Sequence, residues 1–333
     1  MNPSTPVSIS TPARKALAAA LLFGAILGTA CHKGPPPAPP VVKLRPAPSV
    51  EQIRSATFQG VGEESTITLR DGRWEGAPFV ADGAARPSVN LVGDFRLTGD
   101  VDGDGGEDAL VLLASRSGGT GENIYLALVQ RSGEVTLNTA TALIGDRVQV
   151  RGGTVRAGRV SLDVVQAGPT DALCCPGELA TRSWHYMPGG LREASTPDSI
   201  ARLTLDAMGG ADWVLRAWSH AEPAPGAPRV TLRVKDGILS GRAACNSYSA
   251  RPQPGDMAGL FTTGPIATTR MACPDSVLKI ETRYLDLLGR ARQFGFSGGR
   301  LAISYEKDSV SAAMLFERAT PPDTARATTP PTK

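Results

Sequence analysis

The chain has 333 residues, 41% of them hydrophobic and 20% charged, so it is long and apolar enough to build the cores of two ordinary domains. Aromatics make up only 5%, whereas Gly (37) and Pro (27) are abundant, a balance that favours short strands and many turns over long helices. The net charge of +3 loses two positive charges once Arg14 and Lys15 are set aside, leaving no general electrostatic attraction to nucleic acid and no basic run to grip anionic lipid.

The first elements concern targeting. Arg14-Lys15 precede an uncharged, Ala- and Leu-rich stretch, Ala16 to Ala30, which is too short to span a bilayer comfortably and ends in small residues. Cys31 follows at once. Residues 1–30 with Cys31 resemble a bacterial lipoprotein signal, in which that Cys is acylated and becomes the new N-terminus. Gly28 stands where such signals usually carry a large aliphatic residue; an ordinary secretory signal cut after Ala30 is the competing reading. Several acyl chains would anchor the protein stably. His32, rather than Asp, follows the Cys, which by analogy with lipoprotein sorting allows transport to an outer membrane. Residues 31–49 are proline-dense and read as an extended tether. Residues 319–333, rich in Thr and Pro, read as a disordered tail.

Residues 50–195 read as a β-rich domain. A short helix is possible near Pro48–Ser55. Thr66–Leu69 alternates, Asp71-Gly72 turns and Arg73–Glu75 returns, which predicts a hairpin. Further strands are predicted at Ala109–Ala114, Ile124–Gln130, Arg147–Val150, Val160–Gln166 and Arg182–Met187. Gly118-Gly119-Thr120-Gly121 reads as a hairpin tip, since no Lys-Ser/Thr follows to make a phosphate loop.

The sharpest chemical signal lies in this half. Asp100, Asp102, Asp104 and Asp108 occupy positions 1, 3, 5 and 9 of a loop, with Gly105 at position 6 and the Gly106 carbonyl available at position 7. Hard oxygen ligands in this number suit a structural Ca²⁺. The loop resembles the DxDxDG calcium loops of dockerin and integrin-type repeats, but position 12 is Val111, not the Glu of an EF-hand. The competing reading is an ion-free turn held by Asx hydrogen bonds.

In residues 205–318, Trp213–Leu215 and Val230–Val234 read as strands, and Asp236-Gly237 as a hairpin turn before Ile238-Leu239. Val277, Ile280, Tyr284, Leu287 and Leu288 follow helical spacing within Pro274–Arg292, with Asp275 or Ser276 as cap. Strands resume at Leu301–Tyr305 and Ala312–Phe316. Cys174, Cys175, Cys245 and Cys273 allow three pairings in an exported chain. Cys245–Cys273 is expected, because each domain then keeps its own chemistry. Cys174-Cys175 is then a strained vicinal bridge or two free thiols, with a metal site weakly supported because CxxC spacing is absent and nearby His is limited to His185.

Ser240–Tyr248, with Cys245-Asn246 at its centre, resembles the G-x-x-x-C-N-x-Y segment of META (HslJ-like) domains. Ala267–Pro274 is similar to the family's TrMaC segment, and Glu281 with Tyr284-Leu285 to the helix after it. Ala244 departs from the pattern, which commonly has Gly there. The resemblance implies an α+β, mostly antiparallel β fold: two β-rich domains, the C-terminal one a META-type curved sheet with one packed helix. The family includes heat-shock-inducible and stress-response envelope proteins and implies no agreed reaction. Asn246, Arg270 and Glu281 form a possible ligand cluster; the plainer reading gives Asn246 a turn to satisfy and pairs Arg270 with Glu281.

No GxSxG, HExxH or phosphate-cradling loop occurs, so no catalytic residue is assigned and the chain is not expected to be an enzyme. The expected role is binding, assembly or stress protection by a lipid-anchored envelope protein facing the periplasm, with the membrane and an envelope protein as partners and no nucleic acid. The alternative is a periplasmic hydrolase, or a hydrolase inhibitor, with a site between the domains.

Overall fold

In the computed structural model, which describes residues 45–319 apart from Glu134 and Leu173, the first regular element is a short helix, α1 (Val50–Arg54). Ser49 and Gln52 form a reciprocal capping box at its start, so even five residues have their first donors satisfied. The leader, Cys31, most of the tether and the tail after residue 319 lie outside the described residues. The tether's last residues are not spacer: Ala47 and Pro48 are buried, and Arg45 pairs with Asp104.

Strands β1 (Thr57–Val61) and β2 (Glu64–Thr68) form a separate antiparallel hairpin. Next come β3 (Arg73–Glu75), β4 (Ser88–Gly99), β5 (Asp108–Arg116), β6 (Asn123–Ser132) and β7 (Val135–Asp146), which pair in chain order as one sheet. The Asp71-Gly72 turn forms, with both residues at positive φ and Arg70 and Arg73 exchanging backbone hydrogen bonds. It does not close the expected hairpin ladder, because β2 pairs with β1 and β3 with β4. A turn fixes only local chain direction; the apolar faces decide which neighbour each strand takes.

β5 and β6 are apolar on both faces, and both faces are covered. Leu110, Leu112, Leu126 and Leu128 enter a core shared with a second sheet. Ala109, Val111, Leu113, Ala127 and Val129 enter another, capped by α1 and the β1–β2 hairpin. That second sheet contains β8 (Gln149–Arg156), β9 (Arg159–Gln166), β10 (Glu178–Met187) and β11 (Gly190–Glu193). β12 (Ser199–Arg202) adds to β10 alongside β11, so residues between the expected domain limits belong to this sheet. Trp184 of β10 is fully buried in the shared core.

A 3-10 turn at Leu205–Met208 leads into the C-terminal half. Its elements are β13 (Trp213–Ser219), β14 (Glu222–Pro223), β15 (Thr231–Lys235), β16 (Ile238–Arg242), β17 (Ser247–Ala250), β18 (Gln253–Pro254), β19 (Phe261–Thr262), β20 (Ala267–Thr268), α2 (Asp275–Gly289), β21 (Ala291–Ser297), β22 (Arg300–Lys307) and β23 (Val310–Arg318). Nine strands make a curled antiparallel sheet in the order β20-β17-β16-β15-β13-β23-β22-β21, with β14 beside β13. α2 buries Tyr284, Leu287 and Leu288 against it. The helix cap is Pro274, with no side-chain cap bond, and Asp275 is instead the first helical residue, where its charge suits the helix dipole. The protein is therefore α+β and mostly antiparallel β.

The two halves share atoms. Val165 lies in the C-terminal core, with Leu179 packed on it. Gln149 Oε1 accepts from Phe296 N at 2.8 Å, and Arg151 donates to the Ala207 carbonyl at 3.0 Å. In β4 the register jumps between Leu91 and Arg96, and the bulged residues press onto the β21–β22 turn. Gly298 there has φ of +54°, and an added Cβ would meet the Val92 carbonyl oxygen at 2.8 Å, so the close approach needs glycine.

Candidate functional site

The acidic loop joins β4 to β5. Its carboxylates fold the loop by accepting its own backbone donors. Asp100 accepts from Gly103 N (2.7 Å) and Gly105 N (3.1 Å), and Asp102 from Asp104 N (3.0 Å). Asp108 accepts from Val101 N at 2.9 Å, and Gln130 donates to both Asp102 (2.8 Å) and Asp108 (3.0 Å). Burial pushes the Asp108 carboxyl above its usual range; the Asp102 charge adds to this, while the Val101 and Gln130 bonds oppose it.

Asp100, Asp102 and Asp108 each offer an oxygen within 4.8 Å of the others, and Asp102 and Asp108 also line a hollow of about 210 Å³ together with Asp104 and Gly106. Asp104 stands apart from this trio. It accepts from Gly106 N at 2.7 Å and pairs with Arg45, and these two contacts hold its carboxyl below the usual range. Sequence placed four carboxylates and the Gly106 carbonyl in one set; the structure gathers three carboxylates, lines the hollow with Gly106, and gives the fourth carboxylate to the tether's Arg45. The role of Arg45 had no local sequence signal, because it lies 59 residues away.

In the C-terminal half, Glu281 of α2 is buried beneath the turn before β17. Its carboxylate accepts from Asn246 N (2.7 Å), Cys245 N (3.3 Å) and Asn246 Nδ2 (2.8 Å). Asn246 Oδ1 in turn accepts from Met271 N (2.7 Å) and the Thr269 hydroxyl (2.9 Å). One Asn-Glu pair thus ties the turn, the segment before α2 and α2 itself together. Arg270 is exposed and makes no ion pair among the described residues. The Arg270–Glu281 pairing read from sequence is therefore absent: backbone N–H groups have taken the carboxylate.

Cys245 and Cys273 are bonded to each other beside this network, with Cα atoms 6.5 Å apart. Beneath it, the Tyr248 hydroxyl donates to the Thr231 carbonyl at 2.9 Å and lies 2.6 Å from the Tyr284 hydroxyl. A phenol has one proton to give, so Tyr284 must be the donor to Tyr248. Burial pushes both phenols above their ordinary range.

A cleft of about 660 Å³ opens where the halves meet. Its floor includes Leu112, Ile124, Phe296 and Leu315, and its rim carries Arg116, Glu122, Arg147, Gln149, His220 and Arg300. Arg116 pairs with Glu122 at 3.0 Å, and Arg300 bridges Asp94 and Glu317, each at 2.9 Å. Sequence reasoning did not find these rim residues, which come from segments far apart in the chain. A shallower groove of about 1000 Å³ runs beside α2, where Asp286 holds Lys307 and Arg290, each at 2.8 Å.

Solved structures similar to part of the chain include an NMR structure of a protein from Burkholderia xenovorans, 25% identical, covering 39% of this chain and 96% of its own, with a TM-score of 0.28. A second NMR structure is 18% identical and covers 34% of this chain and 94% of its own, with a TM-score of 0.28. No curated protein matches the chain significantly. Residues 204–318, which contain the Asn246–Glu281 network and its disulfide, match the family model of the META domain, and the C-terminal third of this chain is thus a META domain.

Proposed function

We propose that this chain is a lipid-anchored protein of the bacterial cell envelope whose two halves form a binding module with an assembly or stress-protective role. The META domain fits a stress-related envelope family. Two disulfides suit an oxidising compartment. Anchoring rests on the leader and Cys31, and an outer-membrane position facing the periplasm rests on His32.

The cleft carries the binding reading. It has the size of a ligand pocket, an apolar floor and a polar rim. Its rim cations Arg116 and Arg300 are met by carboxylates, Arg116 by Glu122 and Arg300 by Asp94 and Glu317, which favours holding a partner over driving a reaction. A photo-crosslinker at His220, compared with one on the far Asp236 turn, tests this in intact cells. Adducts confined to His220 are expected; equal yields at both sites would defeat the reading. In the same cells, Cys31→Ser should release the protein from the membrane fraction.

A second reading, a hydrolase or hydrolase inhibitor, draws on His220, Ser297 and Glu122 lining one cleft. Labelling of Ser297 by a fluorophosphonate would favour it.

The acidic loop is proposed to hold Ca²⁺ as a structural ion through Asp100, Asp102 and Asp108. The oxygen donor set suits that ion, and a cation would relieve the crowding of Asp102 against buried Asp108. At a hundredfold excess over Kd the ion should stabilise the fold by about 2.7 kcal/mol. A melting temperature unmoved by millimolar Ca²⁺ would remove it.

A further inference from the structure

The two disulfides differ in span and in exposure. Cys245–Cys273 joins positions 28 apart in the META half, with Cys245 buried and Cys273 half-buried. Cys174–Cys175 joins neighbours in the connection between β9 and β10, with Cys174 exposed and Cys175 half-buried. A bridge between adjacent residues closes no chain loop, so the loop-closure stabilisation available to Cys245–Cys273 is not available to it.

Nor does the connection need the bridge to keep its shape. Asp171 clasps both ends of it, accepting from Gly168 N and Gly177 N at 2.9 Å each. Its other oxygen accepts from Arg202 of β12 at 2.7 Å, which fastens the clasp to the second sheet. Pro176 and Gly177 are buried directly after the pair. The sulfur–sulfur bond can therefore open and close while β9 and β10 stay in register.

We infer that Cys174–Cys175 is a redox-active site that exchanges electrons with an external dithiol of the thiol-oxidoreductase class. A thiolate of that dithiol attacks the exposed Cys174 Sγ, the mixed disulfide forms, and Cys175 leaves as thiolate. The second thiol of the reductant then attacks its own neighbouring sulfur in the mixed disulfide and releases Cys174. Two electrons and two protons pass from the dithiol to the pair, and the reductant ends as a disulfide; the reverse sequence reoxidises the pair. Cys174 is the sulfur attacked because access governs the first step.

The test uses the whole folded chain in graded dithiothreitol, followed by acid quench, iodoacetamide labelling and mass mapping of each Cys. Cys174 and Cys175 should label at roughly tenfold less reductant than Cys245 and Cys273, because Cys174 is the most exposed of the four and only the Cys245–Cys273 bond is held by a closed loop. The melting temperature should move by less than about 2 °C, since no loop is released. Oxidised dithiothreitol should restore the pair. Simultaneous opening of all four Cys, a pair that opens only on unfolding, or thiols that never reoxidise would each overturn the inference. As a second variant, Cys175→Ser should trap Cys174 as a mixed disulfide with oxidised glutathione; failure to form that adduct on folded protein would also overturn it.

Discussion

Ala244 has φ of +82°, a left-handed conformation in which its Cβ crowds the following carbonyl, at a cost of about 1–2 kcal/mol. The META pattern resembled by the sequence leads one to expect Gly at this position. Its neighbour Ala243 has no such backbone and is fully buried in the same core. Ala243→Gly should lose a buried methyl and gain unfolded-state freedom, costing about 1–2 kcal/mol. Ala244→Gly loses a methyl too but relieves the left-handed strain, so it should be neutral or stabilising. Urea unfolding of the two variants checks the contrast; equal losses would mean that φ at Ala244 carries no strain. Glu281 sets a similar test. Glu281→Gln turns an amide donor toward N–H groups that need an acceptor and should cost about 2 kcal/mol, whereas Arg270→Ala on the exposed side should cost less than about 0.5 kcal/mol. Both Cys245-Asn246 and Glu281 could be singled out in the sequence, but not their bonding. Opposite charge, with the helix folding back, suggested pairing with Arg270, and only the fold shows backbone donors reaching Glu281 first.

The elements most legible in the sequence were those whose burial matches one period. α2 presents Tyr284, Leu287 and Leu288 at helical spacing, and β5 and β6 are unbroken apolar runs buried on both faces. β4 was not read as a strand, because residues 92–95 bulge out between its two paired stretches and break the alternation. β7 was missed for a related reason: much of it is exposed, including Val135, Leu137 and Leu143, so its pattern carries little contrast. Bonds between elements then decide local stability. Cys245–Cys273 closes a loop of 28 residues, and Cys245→Ala with Cys273→Ala should cost about 3–4 kcal/mol, visible as a lower urea midpoint. The Asp171 clasp makes a pH prediction. The Gly168 N–H, then Arg202, hold this carboxyl below its usual range, with Gly177 adding to the effect. Its unfolded-state value is higher than its folded one, so the clasp stabilises above the ordinary Asp range and that contribution is lost as pH falls through the lowered value. Amide exchange at residues 168–177, corrected for its intrinsic pH dependence, should accelerate under acid before exchange in β9 and β10 does. Acceleration of all three together would show that the clasp is not a separate local unit.

Across the whole molecule, the features least visible in the sequence are those made by contact between halves. The cleft rim takes Arg116 and Glu122 from the ends of β5 and the β5–β6 connection, and Arg300 from the start of β22, and no spacing rule links them. Sequence suggested two successive domains, yet the described residues pack as one compact unit. Val165 of the second sheet is buried in the META core, and the β4 bulge meets Gly298 and Arg300. Because Val165 and Leu179 pack into the META core, unfolding one half exposes apolar surface of the other, which couples their transitions. The two halves carry their own reporters: Trp184 is buried in the first core, and Trp213 and Trp218 in the META core. Urea unfolding of the intact chain labelled with 5-fluorotryptophan, followed by 19F NMR, should give coincident midpoints for Trp184 and Trp213. Arg300→Ala removes the Asp94–Arg300–Glu317 bridge across the boundary and should lower both midpoints together. If the Trp213 midpoint shifts while the Trp184 midpoint stays, the halves unfold independently and the cleft is a contact between two domains, not part of one cooperative structure.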